Sequence, residues 1–193
     1  MNDKNRVEVY DEASDVVVYD VEKHEIVTAS NIFSKDAFET FPTFSPDGKT
    51  LYFCTAEARP MPQEYSEVKY NLCSVSFDPA TRAFGTQVDT LYNAKNGGMS
   101  ASFPRVSPDG RYLLYTLFSY GNFSIWHKDA DLYMADLQAG TSRSLVEVNS
   151  DDVESYHSWS SNSRWFVFSS RRMDGLYTRP YIAYVGEDGK VGK

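Results

Sequence analysis

The side chains able to do chemistry in this chain are few and widely spaced. Its three histidines, His24, His127 and His157, stand far apart. None has a second histidine or cysteine at the short spacing that converges ligands on one metal ion. Cys54 and Cys73 are the only cysteines, at a spacing that fits neither a zinc site nor a redox Cys-x-x-Cys pair. They read as two buried thiols. The alternative is a disulfide between neighbouring strands, which requires Cα atoms about 4.4 to 6.8 Å apart. A serine nucleophile on a strained strand-to-helix elbow needs Gly-x-Ser-x-Gly, and Gly98-Met99-Ser100-Ala101-Ser102 lacks the last glycine. No catalytic residue, metal ligand or cofactor is expected.

The remaining candidates are for binding. Arg171 and Arg172 offer planar, forked donors suited either to a structural ion pair or to a carboxylate on a ligand. His157 lies beside Trp159, as a packed histidine or as a group facing a channel. The segment Thr116-Leu117-Phe118-Ser119-Tyr120-Gly121-Asn122-Phe123-Ser124-Ile125-Trp126-His127-Lys128 places aromatic residues where a linking loop is expected. Phe123 and Trp126 are its interaction anchors if exposed, and simple packing groups if they fold under. The acids Asp20, Asp47, Asp109 and Asp136 fall at repeated turn or strand-end positions, where a carboxylate bonds its own backbone.

What must position these groups is a repeat. Phe41-Pro42-Thr43-Phe44-Ser45-Pro46-Asp47-Gly48-Lys49-Thr50-Leu51-Tyr52-Phe53 returns as Phe103-Pro104-Arg105-Val106-Ser107-Pro108-Asp109-Gly110-Arg111-Tyr112-Leu113-Leu114-Tyr115. A degenerate third copy runs from Tyr156 to Phe168. The spacing, roughly 60 and then roughly 50 residues, exceeds a helical-pair repeat and slightly exceeds a propeller blade. Each copy sets a turn between two apolar runs, where Pro46 or Pro108 fixes φ, Asp47 or Asp109 bonds the backbone, and Gly48 or Gly110 accepts the left-handed conformation.

A third run follows each hairpin (Asn71 to Phe77, Asp131 to Leu137, Pro180 to Val185), with a short fourth run after it. Asp15 to Val21 and Glu25 to Val27 repeat this second half near the N-terminus, where Val7 to Tyr10 reads as a further strand. The expected fold is all-β: a β-propeller of four-stranded antiparallel blades, with about three and a half blades present. The layout is a partial blade over 1–30 and blades over 31–95, 96–150 and 151–193, the last incomplete at its C-terminus, all in one propeller domain.

Composition agrees. Aromatic residues make up 15% of the chain, with 14 Tyr and 12 Phe, types that suit half-buried pleated surfaces. The formal charge of −8 repels a phosphate backbone, so nucleic acid is not an expected partner. No run of about 18 apolar residues could cross a membrane as a helix, and Met1 to Arg6 lacks a signal-peptide apolar stretch.

The Pro-x-x-Ser-Pro-Asp-Gly-Lys/Arg hairpin, with Phe168-Ser169-Ser170-Arg171-Arg172 and the Tyr181 to Val185 strand, resembles the TolB-type, WD-repeat-like propeller repeat. The resemblance implies a six- or seven-bladed ring, a periplasmic or extracellular location and the binding of protein partners. The third hairpin departs from the pattern, with His157 for Pro and Ser161-Asn162-Ser163 for Pro-Asp-Gly, so a looser or reshaped turn is expected there. Segments 56–70 and 118–130 are longer than the repeat needs.

The functional expectation is a non-catalytic, exported module that docks a protein, peptide or glycan through its loops and channel face. Self-association through open propeller ends is also expected, since end blades leave apolar faces uncovered. The alternative is part of an enzyme, either the gating propeller of a prolyl-oligopeptidase-type peptidase or an oligosaccharide lyase in which His157 and Arg171 converge on a channel ligand.

Overall fold

A computed structural model describes residues 9–192. Three four-stranded antiparallel sheets and one two-stranded sheet follow one another along the chain. The two-stranded sheet is β1 (Val18–Asp20) with β2 (Glu25–Val27). Blade one is β3 (Ala37–Phe44), β4 (Thr50–Glu57), β5 (Asn71–Asp78) and β6 (Ala83–Tyr92). Blade two is β7 (Ser100–Val106), β8 (Tyr112–Phe118), β9 (Asp131–Asp136) and β10 (Thr141–Ser144). Blade three is β11 (Glu154–Trp159), β12 (Trp165–Ser170), β13 (Arg179–Val185) and β14 (Val191–Gly192). The fold is thus a partial β-propeller.

First strands pack on first strands, β3 on β7 and β7 on β11, so they line a common axis. Apolar layers fill the spaces between blades. Tyr52, Cys54 and Leu72 of blade one meet Leu113, Tyr115 and Ala135 of blade two. Tyr112, Leu114, Leu132 and Met134 then meet Phe166, Phe168 and Ala183 of blade three. Alternation along each strand sends one set of side chains to each neighbour, which is why a strand such as 112–118 is buried at every position.

Local chemistry fixes the turns. In the first hairpin the Ser45 Oγ donates to Asp47 at 2.6 Å, the Lys49 N–H donates to the same carboxylate at 3.1 Å, and Gly48 takes φ +70°. The second hairpin repeats this with Ser107, Asp109, Arg111 and Gly110. The third does so too, which corrects the expectation of a looser turn. Asn162 accepts from Ser160 Oγ and from the Arg164 N–H, and Ser163 is forced to φ +60°. An amide oxygen does the work of a carboxylate here, and the Ser163 Oγ accepts from the Asp109 N–H of the neighbouring hairpin at 2.9 Å. Asp20, Asp78 and Asp136 close the other set of turns by accepting from the N–H groups two and three residues on.

Four further expectations are revised or settled. Val7 and Glu8 lie outside the described residues, and Val9 and Tyr10 are not in a strand. The Asp15 to Val21 run shortens to β1, because no described inner strand ladders with it, and the Val16 N–H bonds to Ile32 instead. Thr116, Leu117 and Phe118 belong to β8, so the linking loop starts at Ser119. Cys54 and Cys73 are free. Phe53, not Cys54, is opposite Cys73 in the β4–β5 register, which sends the two thiols to opposite faces of the sheet.

Candidate functional site

The connections fall into two classes by length. Tight hairpins and turns occupy one end of the blades, while the segments leading into first strands and those joining second to third strands gather at the other. Both oversized segments flagged above lie on this loop face, and they are joined to each other. The Gly121 N–H donates to the Val68 carbonyl at 2.8 Å, and Ser100 links the Tyr70 N–H to the Gly121 carbonyl. Gly121 has φ +79°, and a Cβ there would lie 2.2 Å from the Tyr65 hydroxyl, so only glycine permits this approach. Tyr10, Tyr65, Tyr120, His127 and Phe118 continue the junction as a row of ring contacts.

A second aromatic row runs across the axial edge. Phe123 leaves the loop face to meet Phe41 edge-on at 6.0 Å, Phe41 meets Phe103 at 4.1 Å, and Phe103 meets Tyr156 at 4.8 Å. Phe41, Phe103 and Tyr156 are equivalent residues of the three repeats, and each sits in a bulge of its first strand. Their φ values are +53°, +52° and +48°, a left-handed conformation that bulky residues adopt at a cost of about 1 to 3 kcal/mol each. The bulge turns these rings out of the pleat and towards one another around the axis. Tyr156, at the end of the row, is 44% exposed.

The other sequence-derived candidates disperse. Trp126 is half-buried against the Phe118, Ile125, Ala130 and Val153 cluster. His157 is buried, and that burial pushes its pKa down to about 4. The nearby Arg105 charge acts in the same direction, while backbone groups of Leu114 and Phe103 oppose it. Arg172 donates to Glu154 at 2.9 Å, to Ser170 Oγ and to the Val148 carbonyl, and its guanidinium stacks over Tyr181. Arg171 faces Asp152 at 3.9 Å. Arg171 and His157 therefore have separate surroundings and do not converge. Among the described residues no cluster of three or more His, Cys, Asp or Glu side chains could hold a metal ion.

Sequence reasoning found Phe123 but missed its partners. Phe41, Phe103 and Tyr156 were visible as the opening residue of each repeat copy. Their common role depends on the bulge, which leaves no compositional mark. Glu39 and Glu154 were missed too. They occupy equivalent places two residues before Phe41 and Tyr156, both buried, and among the described residues only Glu154 of the two has an arginine partner. The Oε2 of Glu39 has no hydrogen-bond partner among the described residues.

No protein-family model matches the chain, and no curated protein sequence matches it. Among solved structures it is similar in fold to a puromycin hydrolase, with TM-score 0.56 and 16% identity, covering 81% of this chain and 23% of that one. It is also similar to an oligogalacturonate lyase from Vibrio parahaemolyticus, with TM-score 0.53 and 15% identity, covering 90% and 42%. Prolyl oligopeptidase B from Galerina marginata matches with TM-score 0.54 and 11% identity, covering 86% and 23%. The chain thus spans less than half the length of each. At these identities the likeness concerns the fold alone.

Proposed function

We propose that this chain is a non-catalytic, TolB-type binding module, exported from the cytoplasm, that docks an extended peptide or protein segment along its axial edge and loop face. The observation that carries the reading is the row Phe123, Phe41, Phe103 and Tyr156, which ends in an exposed ring. Three adjoining blades hold equivalent aromatic residues in a costly backbone conformation, and strain of this kind collects at ligand clamps. Rings presented on rigid strands lose little side-chain entropy on binding and supply apolar area, the profile of an interaction anchor. The separation of His157 from Arg171, and the neutral, buried state of His157, favour docking over acid–base work on a bond.

The test is selection of displayed random peptides on the 193-residue chain, followed by titration of the selected peptides against variants. Peptides with aromatic or large apolar anchors are expected, and Tyr156→Ala is expected to weaken them tenfold or more, in line with about 1.4 kcal/mol or more for a hot-spot ring. Unchanged affinity in both Tyr156→Ala and Phe123→Ala would overturn the reading, as would turnover of the bound peptide or of an acidic oligosaccharide offered in parallel.

A further inference from the structure

The two ends of this propeller segment present the two halves of one interface. Inside the chain that interface occurs twice, each blade setting one face against the opposite face of the next. In the β8–β9 register Leu114 is opposite Met134, and this pair packs on blade three. The equivalent pair in blade three is Val167 opposite Ile182, flanked by Trp165 opposite Tyr184. All four of these side chains are exposed, and Ile182 is 58% so. At the other end, Val17 and Tyr19 occupy the places that Tyr133 and Ala135 fill in blade two, where they receive the face of blade one. Val17, Tyr19 and Ile26 are also exposed, with Tyr19 opposite Ile26 in the β1–β2 register.

We infer that two copies of this chain associate head to tail, the Trp165, Val167, Ile182 and Tyr184 face of one against the Val17, Tyr19 and Ile26 face of the other. The occupant is identified by continuity. The exposed face of blade three repeats a surface that twice within the chain takes the opposite face of this same repeat, and a second copy carries that opposite face ready-made. The contact is heterologous, so a pair closes only when both contacts form at once. Two copies bring six four-stranded and two two-stranded sheets around one axis, close to the four to eight blades typical of closed rings. The inference does not depend on the binding role proposed above, which concerns the axial edge.

The experiment is sedimentation of the full chain and of two variants, Ile182→Lys and Ile26→Lys. Both residues are surface-exposed, and circular dichroism and urea unfolding verify that each variant keeps its fold. The unaltered chain is expected at twice its 21.9 kDa mass. Each variant paired with itself carries the substitution in both contacts and is expected to weaken at least a hundredfold. An equimolar mixture restores one intact contact and recovers part of the association. A monomer in the unaltered chain overturns the inference. So do a single variant that still pairs fully with itself, the mark of a face meeting its own copy, and an open ladder of larger species, which rules out closure.

Discussion

Replacing Glu39 by glutamine should make the protein more stable, but only above a defined pH. Glu39 lies on β3 at 3% exposure, and its Oε2 has no partner among the described residues. Burial pushes its pKa up to about 7 from an ordinary 4.5; the Asp15 charge adds to the rise, and a backbone hydrogen bond from Ser34 opposes it. Between those values the folded chain holds a proton that the unfolded chain has released. Stability therefore falls as pH rises from 4.5 to about 7 and is level above that. At about 1.4 kcal/mol for each tenfold difference in proton affinity, the ceiling is about 3 kcal/mol, and relaxation around the carboxylate lowers this to roughly 1 to 3 kcal/mol. Glutamine keeps the shape and cannot ionise. Urea titrations should show no difference at pH 4.5 and, with an m-value of about 2 to 3 kcal/mol/M, a midpoint higher by roughly 0.3 to 1.5 M at pH 8. A gain of equal size at both pH values, or a variant less stable at pH 8, would refute the reasoning.

Two further perturbations test the interior. The depressed pKa of His157 means that stability is complete above about 6.5 and is lost as pH falls towards 4. His157→Phe should remove up to about 3 kcal/mol of that acid slope, read from thermal melts between pH 7 and pH 4, and an unchanged slope counts against a neutral buried imidazole. Arg172→Met should cost about 3 to 5 kcal/mol by stranding the Glu154 carboxylate, and adding Glu154→Gln should recover a large part of it. Strictly additive losses in denaturant would show that the two side chains do not act as a pair.

The fold was legible because its signals are local and repeated. Ser-Pro-Asp-Gly dictates a turn wherever it occurs, and the apolar runs around it have the length of strands that pack on both faces. The third hairpin shows where reading by residue identity falls short. Asn162 and Ser163 reproduce the geometry of Asp109 and Gly110 because an amide oxygen accepts the same bonds and the surrounding hairpin holds serine at φ +60°. The candidate site was less legible. Phe123 stood out in an over-long loop, but its contact with Phe41 crosses between blades, and no spacing rule reports that. Glu39 and Glu154 read as ordinary strand acids until their burial and the reach of Arg172 could be seen. Strand length near the N-terminus was overestimated for a related reason, since the ladder available to β1 depends on partners rather than on its own sequence.

The bulges at Phe41, Phe103 and Tyr156 bear on how such a chain can be lengthened or cut. Each interrupts its strand at the same height along the axis, so the alternation of side chains resets at the same level in every unit. A unit inserted or deleted between two others would bring its own reset, and its neighbours would keep their pairing and their inward and outward faces. Circumference then becomes a matter of how many units are joined, with no need to rewrite any of them.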